Sequence, residues 1–335
     1  MEACISARLG IVTVADAEPR KSVRNGMRIL ITGGAGYIGC VVVPLLLEQG
    51  CRVRVLDNLM YGGSGLLPNF RNPSFEFAAG DIRDERTMAD AVKGCDAIIH
   101  LAAIVGFPAC RKYPELAQTV NVDGTKVVAK AAGRDRLVLF GSTGSNYGAL
   151  EQDVCTEDTP LNPLSLYGKT KTAAERHLLD NCKTIAYRFA TAFGVSPRLR
   201  LDLLINDFVS TALKLRYLVV YESHFMRTFI HVYDIARSFL FGLDHADGMA
   251  GQVYNVGSEA MNYSKAQVCE VIRRKVDFYL HCADVGEDAD KRNYVVSYRK
   301  INSVGFATSI SLEEGIDELV RALQVISVQN PYSNA

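Results

Sequence analysis

The chain has 335 residues, 48% of them apolar and 22% charged, enough to bury a large core as one big unit or two intimate ones. Lys plus Arg and Asp plus Glu both total 37, so there is no global positive field to hold nucleic acid or an anionic membrane. Nine cysteines are dispersed between Cys4 and Cys282 without a CxxC pair or a metal-spaced His/Cys cluster, which predicts reduced thiols in a cytosolic protein and no metal.

Residues 1–26 read as a flexible N-terminal extension. Their apolar run 9–15 follows Glu2 and precedes "DAEPRK", a poor signal-peptide core. The longest apolar stretch, 40–47, is too short to span a bilayer. "RILIT" (28–32) predicts a first strand, followed by a glycine turn and a helix to about residue 48. Further strands are expected at "RVRVLD" (52–57), "FEFAAGD" (75–81), "DAIIHLAA" (96–103), "RLVLFGS" (136–142) and "TIAYRF" (184–189), with helices near 85–92, 115–132 and 165–181. Short apolar strands alternating with helices predict an α/β fold, a Rossmann-type doubly wound parallel sheet that binds ligands at the carboxyl ends of its strands.

After about Phe193 the texture changes. A basic loop enters an amphipathic helix over 196–215, and helices follow at 263–276 and 311–326, the last with Ser311 and an acidic first turn resembling a capping box. The expected organisation is a nucleotide-binding domain at 27–194, to which the apolar stretch 229–256 returns. A smaller mixed substrate domain takes most of 195–326, and 327–335 is a tail.

"TGGAGYIG" (32–39) follows a strand and opens a helix. Gly33 suits a tight turn, Gly36 a close backbone approach to a pyrophosphate, and Gly39 helix–sheet packing, with the helix N-terminus receiving phosphates. Tyr37 and Ile38 belong to the same turn. Asp57 ends the second strand beside Asn58; its carboxylate can bond both ribose hydroxyls and repels a 2′-phosphate, which predicts NAD rather than NADP. Asp81 and Ile82 close the third strand near the adenine, or Asp81 merely caps its turn. Leu101, Ala102 and Ala103 complete the predicted cofactor set.

"YGKTK" places Tyr167 and Lys171 four apart on one helix face, after Thr143 and the glycine turn. A phenol with a pKa of about 10 is a poor base near neutrality, and a neighbouring ammonium and a positively charged nicotinamide both favour its phenolate. Tyr167 then removes the proton of a substrate hydroxyl while hydride leaves the same carbon for the cofactor. Lys171 also bonds the nicotinamide ribose, Thr143 bonds the reacting oxygen, and Ser142 is structural. His100 and His231 read as satisfied core histidines, and Asn121 as fixing backbone near the site.

With these motifs the chain resembles the extended short-chain dehydrogenase/reductase family, within it the NAD-dependent nucleotide-sugar epimerases and dehydratases. The resemblance covers about 27–326 and includes "GDIRD", "HLAA", "NVDGT" (121–125), "RFATAFG" (188–194) and "RTFIHV" (227–232). It implies bound NAD, a nucleotide-diphosphate sugar as substrate, and a homodimer through the helices near 115–132 and 165–181. It also implies diphosphate clamps at Arg227 and Arg292, and substrate contacts from Gly144, Ser145, Asn146 and Thr191; Thr191 stands where many relatives carry asparagine. Arg198 and Arg200 either serve an extra anionic group or are surface charges.

In the family's 4,6-dehydratases the threonine is followed by Asp-Glu, where this chain has Gly144 and Ser145. The decarboxylating relatives place a glutamate at the position of Ser145, and the 3,5-epimerase/reductases a cysteine at that of Gly144. Without a second acid or base there, the resemblance implies hydride chemistry alone: a 4-epimerase that passes through a 4-keto sugar and recycles its NAD. The alternatives are a dehydrogenase, ketoreductase or dehydratase of the same family, or a catalytically silent dinucleotide-binding protein.

Overall fold

The computed structural model describes residues 24–148, 154–283, 295–326 and 334. The expectations for 1–23, Arg292 and 327–333 lie outside the described residues. The central sheet is built from seven apolar strands: β1 (Arg28–Thr32), β2 (Arg52–Asp57), β3 (Phe75–Ala79), β4 (Ala97–His100), β5 (Leu137–Thr143), β6 (Lys183–Phe189) and β7 (Gln252–Val256). Its order is β7-β6-β5-β4-β1-β2-β3, with every neighbouring pair parallel. A parallel sheet must be covered on both faces, and two buried clusters do this. One gathers Ile29, Ile31, Val42 and Val43, the other Leu30, Ile98, Val138 and Phe140.

The chain builds outward from β1 to β3, then returns to place β4 on the other side of β1. That reversal opens a crevice at the carboxyl ends of the strands. Helix α1 (Gly39–Glu48) covers one face beside β2, and helix α2 (Leu166–Asn181), capped by Ser165, covers the opposite face beside β5 and β6. The helix expected over 115–132 is interrupted. Pro114–Gln118 and Thr125–Ala132 are α-helical, and Thr119–Gly124 between them forms a wider π turn. Asn121 and Thr125 hold that turn with side-chain bonds of their own, described below.

The stretch 229–256 divides between two sheets. Met226–His231 pairs with Thr191–Phe193 and Asn262–Ser264 in a small mixed sheet, whereas helix α3 (Val232–Asp244) packs on α1 and β7 joins the central sheet. Helices Leu204–Leu215, Lys265–Arg273 and Leu312–Val325 bury a third cluster around Ile205, Phe229, Val268 and Ile316. The expected capping box forms between Ser311 and Glu314, and Ser264 with Gln267 makes another. Residues 24–26 are fastened: Gly26 N donates to Gly50 O at 3.0 Å, and Arg24 Nε pairs with Asp244 at 2.9 Å.

Gly33 shows why the turn after β1 needs glycine. Its φ is +74°, and a Cβ would lie 2.5 Å from the Ala102 amide nitrogen. Gly33→Ala is therefore expected to cost at least about 2 kcal/mol, because a left-handed φ and a backbone overlap act together. Equilibrium denaturation checks this; an unchanged midpoint would show that the turn can yield.

Candidate active site

A cavity of about 550 Å³ runs along the carboxyl ends of the sheet. Its wall includes Gly33, Gly36, Tyr37 and Ile38 after β1, Asp57 and Asn58 after β2, and Asp81 and Ile82 after β3. Leu101, Ala102 and Ala103 follow β4, Thr143 and Ser145 follow β5, and Thr191 lies beyond β6. Tyr167 and Lys171 enter from α2, and Arg198 and Arg200 from the loop ahead of Leu204–Leu215.

At the β1–β2 end the Asp57 carboxylate accepts from the Ala35 amide at 3.0 Å and from the Leu59 amide at 2.8 Å, so it braces the glycine turn as well as its own. Burial pushes this carboxyl above its ordinary range, and the two amides oppose that. Tyr37 Oη donates to Gly194 O at 2.8 Å. Asp81 is gripped by Arg83, whose Nη2 and Nε donate at 2.7 and 3.0 Å, and the guanidinium holds the carboxyl below its usual range.

At the β5 end, Thr143 Oγ1 accepts from the Ser145 amide at 3.1 Å and is 8% exposed. Lys171 is 3% exposed, with Nζ 3.9 Å from the centre of the Phe140 ring. Burial pushes its pKa down to about 7, and Glu175, one turn further along α2, acts to raise it. His100 bonds Thr32 Oγ1 at 2.7 Å and Thr125 Oγ1 at 3.0 Å; burial, aided by Lys171, drives its pKa down to about 3, so it is a neutral core residue. His231 is likewise occupied, its Nε2 2.6 Å from Glu318. Asn121 accepts from Ile104 N at 2.7 Å and donates to Ile104 O and Thr170 Oγ1 at 3.0 Å, tying the loop after β4 to α2. Thr125 Oγ1 closes the π turn by donating to Asn121 O at 2.6 Å.

Three expected substrate residues are not on this wall. Asn146 is fully buried and donates to Ser142 Oγ and Glu175 Oε2, both at 3.1 Å, because the turn after Thr143 folds it behind β5. Gly144 starts that same turn and is buried with it. Arg227 is 3% exposed in the small mixed sheet, where its Nη1 donates to Met226 O at 3.1 Å. Ser142 is structural as expected, donating to Glu175 Oε2 at 2.5 Å.

Four participants escaped the sequence reading. Glu175 and Arg188 form a buried pair at 2.7 Å behind Thr143, and only the Lys171-to-Glu175 spacing on one helix face hinted at it. Tyr61 and Asn334 line the cavity, joined by a Tyr61 Oη to Asn334 O bond at 3.4 Å. Nothing local in the sequence marks either one.

The chain matches the model of the NAD dependent epimerase/dehydratase family over residues 29–257. It is 32% identical over 319 residues to a dTDP-glucose 4,6-dehydratase of Streptomyces niveus, covering 88% of this chain and 92% of that one. It is 32% identical over 274 residues to a UDP-glucose 4-epimerase of Halalkalibacterium halodurans, covering 74% and 80%. Among solved structures, a double mutant of a Streptomyces venezuelae dTDP-glucose 4,6-dehydratase with NAD bound superposes with a TM-score of 0.80 at 26% identity, covering 89% and 97%. Among the described residues, no helix is long and apolar enough to cross a membrane and no cluster has the makings of a metal site. The cavity spans the glycine turn, Asp57 and the Tyr167–Lys171 helix, which fits a dinucleotide laid across the switch between β1 and β4. The chain belongs to the NAD-dependent epimerase/dehydratase family, with NAD as its cofactor.

Proposed function

We propose that this protein is a nucleotide-sugar 4-epimerase. The observation that carries the reading is the turn after Thr143. Gly144 and Ser145 supply no carboxylate or thiol, and the carboxylates on the described cavity wall, Asp57 and Asp81, follow β2 and β3. β2 is three strand positions from β5, a separation of about 14 Å at ordinary strand spacing. A dehydratase must protonate a departing hydroxyl and remove a carbon-bound proton, and among the described residues this end of the cavity carries no carboxylate or thiol for either task.

Bound NAD supplies a hydride acceptor that returns the hydride later in the same turnover. Tyr167 takes the proton of the C4 hydroxyl and gives it back to the opposite epimer. Thr143 bonds the reacting oxygen, which keeps the C4–H bond oriented. Lys171 as an ammonium stabilises the phenolate of Tyr167. The small side of the turn at Ser145 leaves room for the 4-keto sugar to rotate while its nucleotide stays held.

Tyr167→Phe is expected to lower kcat by at least about a hundredfold while nucleotide-sugar binding, followed by calorimetry, changes little. Retention of more than a few per cent of turnover would move the base elsewhere.

Lys171 makes a pH prediction for the cofactor-free protein. Its folded pKa is about 7 against an ordinary 10.5, so the unfolded chain holds this proton between those values and the folded chain does not. Stability from this group therefore rises as pH increases through that window. Lys171→Met should abolish turnover and flatten the rise, measured by denaturant titration at pH 7 and pH 9.

The reaction itself is tested in D₂O with a panel of UDP-, dTDP-, GDP- and CDP-sugars and no added NAD(H). A 4-epimer free of deuterium is expected by NMR and mass spectrometry. Deuterium on a ring or C5 carbon would establish dehydratase or 3,5-epimerase chemistry, and dependence on added NAD(H) a single-pass oxidoreductase.

A further inference from the structure

The loop after β2 brings Tyr61 to the cavity wall through its own hydrogen bonds. Asp57 accepts from the Leu59 amide at 2.8 Å, and Asn58 Oδ1 from the Met60 amide at 3.1 Å, two successive Asx turns that bend the chain back after the strand. Beyond Tyr61, a Cβ on Gly65 would meet Cys40 Sγ at 2.6 Å and Pro197 Cβ at 3.2 Å. The loop is therefore pressed between the first turn of α1 and the segment 194–202. That segment is fixed to the glycine turn in its own right: Ser196 Oγ donates to Tyr37 O at 2.7 Å, and Tyr37 Oη to Gly194 O at 2.8 Å. At its far end Arg200 Nε and Nη2 donate to Asp202 at 3.0 and 2.6 Å.

The sequence reads 327–335 as a tail, yet Asn334 is 7% exposed and lies on the cavity wall between these two segments. Its backbone is held from both sides. Tyr61 Oη donates to its carbonyl at 3.4 Å, and its amide donates to Asp202 Oδ2 at 3.5 Å. Burial pushes the Tyr61 phenol above its ordinary range, which keeps it a donor. The side chain is in a different position: Oδ1 is buried with no hydrogen-bond partner among the described residues. A buried carbonyl oxygen without a donor is unfavourable and rare in folded proteins, and on a cavity wall a ligand can bring the missing donor.

The complement of an acceptor is a donor, which narrows the ligand group. The phosphates of a dinucleotide only accept, whereas its ribose hydroxyls both donate and accept. Asn334 is tied to Tyr61, four residues past Asp57, the carboxylate expected at the adenosine ribose. We propose that Asn334 is a cofactor-binding residue whose carboxamide oxygen accepts from a hydroxyl of the adenosine ribose of NAD, sharing that ribose with Asp57. The proposal rests on NAD as the cofactor and not on the choice of reaction, so it can fail without the epimerase reading failing, and the reverse.

The test uses the full-length protein loaded with NADH, with release followed by the decay of bound-cofactor fluorescence on dilution into excess NAD. Asn334→Leu keeps the size of the side chain and removes its polar atoms. Loss of one neutral hydrogen bond is expected to speed release by about 3- to 10-fold. The comparison is repeated with NADH analogues that lack the adenosine 2′-hydroxyl or the adenosine 3′-hydroxyl. With the analogue that lacks the partner hydroxyl, parent and variant should release at the same rate within about twofold, because each change removes the same bond. Circular dichroism melting identifies which variants are folded, and Asn334→Ala carries the measurement if Asn334→Leu is not. Unchanged release in a folded Asn334 variant would overturn the proposal. So would faster release that persists with both analogues, which would make the residue a packing element of the wall. A raised KM for the nucleotide sugar with unchanged NADH release would overturn it too and assign the carboxamide to the substrate.

Discussion

The site depends most on one buried carboxylate. Glu175 receives Ser142 from β5, Asn146 from the turn after Thr143, and the fork of Arg188 from β6, while itself standing on α2 one turn beyond Lys171. A buried ion pair of this kind contributes little net stability, because desolvation of both charges opposes their attraction. Removal of one partner is another matter, since it strands the other charge where no water reaches it. The pair therefore locks strand, turn and helix into one mutual arrangement, with Thr143 at the end of the strand and Tyr167 and Lys171 on the helix. The Arg188 Nη1 bond to Tyr147 Oη and the Tyr147 Oη bond to Asn255 Oδ1 carry the same constraint on to β7.

Most of the sheet was legible from periodicity. Strands buried on both faces read as continuous apolar runs, and their carboxyl ends coincide with the motifs, so the part of the cavity wall that follows those strands is legible in the sequence. What stayed illegible was side-chain direction within short turns. Asn146 and Ser145 are adjacent in sequence, yet the turn after β5 sends one behind the strand and the other to the cavity. Arg227 illustrates the same gap at longer range: a motif match assigned it to the substrate diphosphate, but the register of its strand in the small sheet decides what the side chain meets. Tyr61 and Asn334 come from segments without periodicity and meet across a sequence separation of 273.

Family membership and reaction are carried by different residues here. Relatives named for epimerisation and relatives named for dehydration are equally 32% identical to this chain, so overall likeness does not choose the reaction. The proposed choice between them rests on two positions after Thr143, Gly144 and Ser145, which carry no carboxylate or thiol.

The place of β7 in the chain has a consequence for how the protein is made. β6 ends at Phe189 and its outer neighbour begins at Gln252, so two strands of the small sheet, Thr191–Phe193 and Met226–His231, and the helices Leu204–Leu215 and α3 are synthesised before the central sheet can be completed. Until then β6 presents a bare, apolar, parallel edge, the kind of surface on which nascent chains pair wrongly. A fragment that stops after the nucleotide-binding strands would keep that edge permanently. The edge strand that seals the central sheet thus leaves the ribosome more than sixty residues after the strand it covers.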